Sequence, residues 1–145
     1  MIEYRYTDMN RRGLVLAALA TTGGAPLTPV QVQKLFFLID REAAHLVDGP
    51  HFRFQPYHYG PFDKSVYQQL EALQREGLVD IHPRSYSLTP EGQREGEAHL
   101  ERLHPKAKEY IQRVSAFVRR LSFSALVSAI YKAYPEMRAN SVFQE

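Results

Sequence analysis

Residues 54–92 constrain the fold of this chain more than any other stretch, because turn signals divide them into short units. Gly60-Pro61 interrupts an aromatic-rich extended run, and proline suits the first turn of a helix. Apolar side chains then recur at helical spacing, which predicts a helix over residues 61–76 with one buried face. Asp63 falls in the predicted first turn, where a negative charge is favourable, and Gly77 predicts the end of the helix. The buried face is predicted to consist of Phe62, Val66, Leu70 and Leu73.

A two-stranded hairpin is predicted directly after that helix. Residues 78–81 alternate as a half-buried strand does, residues 82–85 favour a turn, and residues 86–88 predict the returning strand. Thr89-Pro90-Glu91 then supplies an N-cap, a first-turn proline and a first-turn acid for another helix. The order helix, hairpin, helix is typical of the recognition helix and wing of a winged-helix domain. The fold class is therefore predicted to be mainly α, with a winged-helix core.

Two apolar helices are predicted before this region. The first has its apolar body at residues 14–19, with Asp8 as N-cap and residues 21–24 as its end. The second begins with Thr28 as N-cap and Pro29 as its first helical residue. Apolar positions surround most of this second helix, so we expect it at the centre of the core. Its narrow polar face consists of Gln31, Gln33, Lys34, Asp40, Arg41 and Glu42.

Three helices are predicted after the hairpin. Residues 90–103 carry little apolar surface, namely Ala98, Leu100 and Leu103, so this helix is expected on the outside. Residues 106–121 have a clear apolar stripe, and either Ser122 or Ser124 is expected to cap a last helix that ends near residue 134. Residues 1–7 are expected to be extended or frayed, and residues 136–145 to form a loose tail.

Length and composition favour one domain. The chain has 145 residues, of which 44% are hydrophobic and 23% charged, as in an ordinary globular protein. We expect a winged-helix core over residues 8–103, followed by C-terminal helices over residues 104–135 that either pack on it or mediate a homodimer. No signal peptide is expected, and no run approaches the roughly 18 apolar residues of a membrane span. The expected location is the cytoplasm, without a membrane partner.

The connection between the two helices before the hairpin is unusually long. A helix-turn-helix motif joins its helices with about 3–4 residues, whereas residues 47–60 intervene here. Within that connection, residues 52–56 alternate between apolar and polar side chains. They are expected either to form a short strand that pairs with the wing or to form an ordered loop.

Two family resemblances meet in this region. The residues LEALQREGLVDIHPRSYSLTPEGQ resemble the recognition helix, wing and next helix of bacterial winged-helix regulators, which often read LxxLxxxGLV and then YxLTxxG. More particularly, QKLFFL at residues 33–38, residues 52–56, YGPF at 59–62 and Val66-Tyr67 resemble the Panacea domain of SocA-like antitoxins and related prophage-type proteins. Tyr57 stands where that family usually has Trp, and Phe62 replaces its usual Val.

The Panacea resemblance implies a protein that binds a protein partner, as an antitoxin or a proteolytic adaptor, and is not an enzyme. A toxin is therefore one candidate partner. Six aromatic residues fall within sixteen positions, from Phe52 to Tyr67, and aromatic side chains anchor many interfaces. Phe54 and Phe62 are expected in the core, whereas Tyr57 and Tyr59 are the better interface candidates. The predicted partner-binding residues are Tyr57, His58, Tyr59, Gly60, Pro61 and Tyr67.

DNA binding is the alternative function, as a winged-helix transcriptional regulator. If the predicted recognition helix entered a major groove, Gln side chains could pair with adenine edges, and Lys or Arg with guanine or phosphate. The candidate residues are Lys64, Ser65, Gln68, Gln69 and Arg75 on the helix, with Arg84 at the tip of the wing. Three acids on the same helix (Asp63, Glu71 and Glu76) and a net charge of only +2 disfavour this alternative. The basic side chains between residues 102 and 120 are spread around their helix, which indicates a solvated face.

Catalytic and metal sites are not predicted. None of the six histidines falls in a metal-ligand pattern, and the chain has no cysteine. Gly23-Gly24 lacks the GK[ST] continuation of a phosphate loop, and no spacing of Ser, His and Asp marks a nucleophile with its base. We therefore expect no cofactor and no enzymatic activity.

Overall fold

The computed structural model describes residues 9–144. Within them the chain is mainly helical, with two small antiparallel hairpins, which confirms the predicted fold class. The elements in chain order are α1 (Arg11–Ala20), α2 (Pro29–Ala43), β1 (Gln55–Tyr57), β2 (Gly60–Phe62), α3 (Lys64–Arg75), β3 (Val79–His82), β4 (Ser85–Leu88), α4 (Pro90–Glu101), α5 (Pro105–Arg120) and α6 (Phe123–Ala133). Short 3-10 helices follow α2 at Ala44–Leu46 and α6 at Pro135–Arg138.

The β3–β4 hairpin is the predicted wing. Its strands pair with Val79 opposite Leu88 and His82 opposite Ser85. Leu27, between α1 and α2, adds an antiparallel bridge to Tyr86, with backbone hydrogen bonds of 2.9 and 2.8 Å in the two directions. This bridge ties the wing to the start of α2. The arrangement of α1, α2, α3 and the wing is compatible with the predicted winged-helix core.

The core is built around α2, as the apolar pattern predicts. Its inward side chains are fully buried, and α3 adds the predicted stripe of Val66, Leu70 and Leu73, each with no exposed surface. The side chains of Ile111 and Val118 on α5 and Val127 on α6 have no exposed surface either. Burying apolar side chains of this size stabilises a fold by about 1.5–3 kcal/mol each. The stripe positions therefore carry a large share of the driving force for folding.

The predicted start of the recognition helix is wrong. Pro61 and Phe62 lie in β2, and α3 begins at Lys64 with Asp63 as its N-cap, whose carboxylate accepts from the Ser65 backbone N–H at 2.8 Å. The side chain of Gln33 accepts from the Asp63 backbone N–H at 2.9 Å and donates to its carbonyl oxygen at 3.0 Å. These two bonds hold the backbone extended at Asp63, so the proline serves a strand instead of a first helical turn.

The pairing expected for residues 52–56 is also different. The strand β1 pairs with β2, with Gln55 opposite Phe62 and Tyr57 opposite Gly60, and it makes no pair with the wing. The long connection between α2 and α3 is therefore a second hairpin. It places an extra layer over one side of α2, which an ordinary helix-turn-helix does not have.

Three expectations about the helix caps and the chain ends can be compared with the described residues. Asn10 caps α1 by accepting from the Gly13 backbone N–H at 2.7 Å; Asp8 and residues 1–7 lie outside the described residues. Of the two candidate caps for α6, the structure confirms Ser122. The tail predicted to be loose is ordered up to residue 144, because Met137 is 5% exposed and the Val142 N–H donates to the His58 carbonyl oxygen at 3.0 Å.

Helix α4 is not simply an outer helix. It packs against α1 through Gly96, where an added Cβ would lie 2.5 Å from the carbonyl oxygen of Leu16. Leu100 and Leu103 are buried as well, whereas Ala98 is exposed, contrary to its expected apolar role. The lack of a side chain at Gly96 lets the two helix backbones approach closely, so a helix with few large apolar residues still buries one face.

No membrane span is predicted from the sequence. Among residues 9–144, no helix is long and apolar enough to cross a bilayer.

Candidate functional site

The β1–β2 hairpin presents three of the six predicted partner-binding residues at its tip. Tyr57 and Tyr59 are 48% and 42% exposed, and His58 between them is exposed as well. Gly60 and Pro61 are buried, so they shape the hairpin but offer little surface to a partner. Gly60 has φ +103°, a conformation that a residue with a side chain rarely adopts. The hairpin tip therefore depends on this glycine.

The C-terminal segment fixes the hairpin in place. The Pro56 carbonyl oxygen accepts from the side chain of Asn140 at 3.2 Å, and that of His58 accepts from the Val142 backbone at 3.0 Å. A Cβ at Gly60 would come within 3.4 Å of the Tyr131 ring on α6. The tip is therefore held between α2, α6 and the C-terminal segment, and its tyrosines are presented on a supported backbone.

An apolar patch surrounds this tip. The large hydrophobic side chains that are exposed within residues 9–144 are Tyr57, Tyr59, Phe123 and Val142, and we call these four the apolar patch. The rings of Tyr59 and Phe123 are 5.2 Å apart, and Phe143 bridges Phe123 to the C-terminal segment at 5.9 Å. Val142 joins the group through its backbone bond to His58. All four patch members thus lie around one hairpin instead of being scattered over the surface.

A small pocket opens beside Tyr57 and Tyr59 of the patch. It has a volume of about 150 Å³ and lies between the hairpin and the sides of α2 and α3; we call it the hairpin pocket. Tyr57 and Tyr59 line it from the hairpin, Val30 and Tyr67 from the two helices, and Lys34 is also part of its lining. A pocket between exposed tyrosines with a lysine in its wall combines apolar and charged recognition.

Lys34 is the most unusual side chain of this pocket. It is only 3% exposed, and its Nζ donates one long hydrogen bond, 3.4 Å, to the carbonyl oxygen of Pro61. Among residues 9–144 no carboxylate forms an ion pair with it. Burial lowers the pKa of Lys34 to about 8, so the ammonium form still predominates at pH 7. The pocket therefore contains a buried, largely charged ammonium, two of whose donors have no partner among the residues that the structure describes.

Tyr67 forms the opposite side of the pocket and is half-buried. Its ring lies 5.7 Å from that of Phe62 and stacks on Tyr86 of the wing at 6.0 Å. Burial raises the pKa of Tyr67 to about 12, which keeps the phenol neutral. Its hydroxyl donates to the Pro29 carbonyl oxygen at 3.4 Å. Of the predicted partner-binding residues, Tyr67 thus supports the pocket wall instead of projecting from the surface.

The residues predicted to bind DNA fall into two groups. Lys64, Gln68 and Arg75 are exposed on one stripe of α3, and Arg84 is exposed at the tip of the wing. Ser65 and Gln69 are partly buried, and the Ser65 hydroxyl donates to the Asp63 carboxylate at 2.7 Å. The structure therefore brings three of the five helix candidates to one solvent-facing line.

Two of the three acids on or beside this helix are engaged elsewhere. Glu76 forms an ion pair of 2.6 Å with Arg12 of α1, which lowers its pKa. Asp63 is buried enough to favour its neutral form, but hydrogen bonds from Arg53 and Ser65 outweigh this and lower its pKa. Glu71 remains exposed on the same stripe as Lys64 and Arg75.

Metal-binding geometry is absent from the described residues, where no group of three or more His, Cys, Asp or Glu side chains converges. The half-buried Asp40 has a structural role, because its carboxylate accepts from the backbone N–H groups of His51 and Phe52 at 2.9 and 2.8 Å. Burial nevertheless raises the pKa of Asp40. This carboxyl group therefore anchors the loop after α2.

Sequence reasoning missed Lys34, Phe123 and Val142 as members of the site. Lys34 lies on the polar face of α2, where a solvated side chain is the ordinary expectation; the signal was its position beside Gln33 within an otherwise apolar helix. Phe123 and Val142 carry no local signal, because they reach the patch only through the path of the C-terminal segment.

Neither a scan against protein-family models nor a search of curated proteins finds a match for this chain.

Proposed function

We propose that this chain is a non-enzymatic protein-interaction module that binds a protein partner through the apolar patch. The observation that supports it is the gathering of Tyr57, Tyr59, Phe123 and Val142 around one supported hairpin. Exposed aromatic side chains in one contiguous area are the residues that most often anchor a protein interface. The proposal includes a cytoplasmic location and a role like that of Panacea or SocA-like antitoxins or proteolytic adaptors, with a toxin as a candidate partner.

The geometry favours docking because the patch is preorganised. The hydrogen bonds from Asn140 and Val142 hold the hairpin tip before any partner arrives. A backbone segment that is already ordered loses less conformational freedom on binding than a mobile one. A partner would therefore gain most of the burial energy of the two tyrosines and Phe123.

Capture followed by reconstitution tests this proposal. Partners are captured from a lysate of the native cells, identified, and then re-tested as purified proteins against the full chain. Tyr59→Ala and Phe123→Ala should each weaken the reconstituted complex at least about tenfold, as expected for the loss of an anchor worth roughly 1.4 kcal/mol or more.

Arg94→Ala, an exposed change on α4, is the matched control. It should bind like the unmodified chain, and circular dichroism should show that all variants are folded. A reconstituted complex whose affinity is unchanged by both patch substitutions would contradict the proposal.

DNA binding is the second candidate, and the state of the acids favours it. Because Glu76 pairs with Arg12 and Asp63 is used as an N-cap, only Glu71 opposes Lys64 and Arg75 on the exposed stripe. Binding to duplex DNA should then fall steeply with salt, and Lys64→Ala or Arg84→Ala should reduce the slope. Gel retardation that shows no complex at about 50 mM salt, where phosphate contacts are strong, would remove this candidate.

A homodimer through α5 and α6 stays a prediction. Light scattering at several protein concentrations would detect it.

A further inference from the structure

We propose that the hairpin pocket receives an acidic side chain, Glu or Asp, from the protein partner, with Lys34 as its counter-ion. This inference rests on the proposed function, because it names the chemistry recognised at the same site. The partner segment would place its carboxylate in the pocket and its neighbouring apolar side chains on the apolar patch.

The first argument is the unpaired charge. An ammonium removed from water is costly unless it is paired and hydrogen-bonded. Lys34 is 3% exposed and has one long donation, to the Pro61 carbonyl oxygen. Since an ammonium has three donors, two of them lack a partner among the described residues. An incoming carboxylate would satisfy both.

The second argument is that the polar side chains around Lys34 provide no counter-ion. The Gln33 amide exchanges two hydrogen bonds with the Asp63 backbone, and as a neutral group it cannot serve as a counter-ion for Lys34. The Asp63 carboxylate accepts from Arg53 and Ser65 instead. The Tyr67 hydroxyl donates to the Pro29 carbonyl oxygen. None of these groups serves as a counter-ion among the described residues, and a partner's carboxylate would supply one.

The shape of the site favours a side chain within a segment over a small anion. The volume of about 150 Å³ holds a carboxylate with the methylene groups that carry it. Exposed apolar surface continues on both sides of the pocket, through Tyr59 and Phe123 in one direction and through Tyr57, which packs on the half-buried Phe62, in the other. A chain terminus or a free anion would cover only part of this surface. Phosphate groups are usually met by several donors such as Arg clusters, whereas this pocket has one lysine.

Three blocked tripeptides test the proposal on the full-length ¹⁵N-labelled chain. Acetyl-Phe-Glu-Phe-amide should shift the backbone amide signals of residues 57–60 and bind at least about tenfold more tightly than acetyl-Phe-Gln-Phe-amide, the gain expected of a buried charged hydrogen bond. Acetyl-Phe-Gln-Phe with a free carboxyl terminus separates a side chain from a terminal carboxylate. Lys34→Met should abolish the preference for Glu over Gln, and Lys132→Met on α6 should leave it unchanged.

Several outcomes would overturn the inference. These are equal binding of the Glu and Gln peptides, no shift with either, or tighter binding of the free terminus. A Lys34-dependent shift with inorganic phosphate in place of the Glu peptide would also overturn it, by assigning the pocket to phosphate groups. Failure of this inference can be distinguished from failure of the proposed function. A reconstituted complex that is weakened by Tyr59→Ala but unchanged by Lys34→Met would support the interaction module and contradict the acidic side chain.

Discussion

Replacing Lys34 with Met should make the protein more stable at neutral pH. Met has nearly the same length and volume, and the change removes an ammonium that is 3% exposed and has one long hydrogen bond. Replacing a buried charge by a well-packed apolar group is often neutral or stabilising. A residue that costs stability is usually kept for another reason, and the proposed pairing with a partner's carboxylate would supply that reason.

The magnitude follows from the pKa of the ammonium. Burial lowers it from 10.5 to about 8, and this difference corresponds to roughly 3 kcal/mol of unfavourable free energy at pH 7. Loss of the hydrogen bond to Pro61 destabilises the variant by about 1 kcal/mol and offsets part of this gain. The net stabilisation should be about 2 kcal/mol, or roughly 4–8 °C in Tm for a domain of this size.

The sign of the pH dependence is fixed by the same linkage. Between the folded pKa and 10.5 the unfolded chain binds more protons, so the stability of the unmodified protein rises with pH through that window. The free-energy cost of Lys34 should therefore fall to about 1 kcal/mol or less by pH 10. At that pH the advantage of Lys34→Met should nearly disappear.

Urea unfolding followed by circular dichroism at pH 7 and pH 10 measures both quantities. Lys132→Met, which removes an exposed lysine from α6, is the control and should change the free energy of unfolding by less than about 0.5 kcal/mol at either pH. If Lys34→Met were destabilising at pH 7, or if its effect were the same at both pH values, the buried-ammonium reasoning would be refuted.

Two further substitutions test the packing that positions the site. Gly96→Ala should lower the free energy of unfolding by about 1–3 kcal/mol or more, because its Cβ would lie 2.5 Å from the Leu16 carbonyl oxygen. The control Ala98→Gly, an exposed change on the same helix, should cost only about 1 kcal/mol by helix propensity. Equal effects of the two substitutions would argue against close contact of α1 and α4. Asp63→Ala should cost about 1–2 kcal/mol at pH 7 because the N-cap of α3 is lost. The pKa of Asp63 is lowered in the fold, so its stabilisation is present above the unfolded value near 3.8 and is lost as the pH falls through the folded value. Asp63→Ala should therefore lose less stability on acidification than the unmodified protein does. Parallel pH profiles of the two proteins would contradict this.

Local signals in the sequence were sufficient for most of the elements. Thr28 and Thr89 cap the helices that they were predicted to cap, and the Val66, Leu70 and Leu73 stripe is fully buried. The wing forms over the residues predicted for it. Caps, stripes and tight turns involve residues that are close in the chain, so their free energies are decided by neighbours that the sequence places side by side.

The exposure of Tyr57 and Tyr59 was also predictable, because two tyrosines beside a Gly-Pro turn were expected at the surface. The second hairpin was not, since Pro61 after a glycine favours a helix start by local preference alone. What decides against that start is the Gln33 amide, which is thirty residues away and holds the Asp63 backbone extended.

The charge of the pocket was decided only by the tertiary structure. Lys34 lies on the polar face of α2 in the sequence, and it becomes buried because the β1–β2 hairpin closes over that face. The hairpin is in turn held by Asn140, which lies 84 residues after the Pro56 that it contacts. The sequence determined most of the helices and the wing, through short-range steric and hydrogen-bonding preferences, but not the β1–β2 hairpin. Burial of a charged side chain depends on which distant surface covers it, and that information exists only when the whole chain is packed.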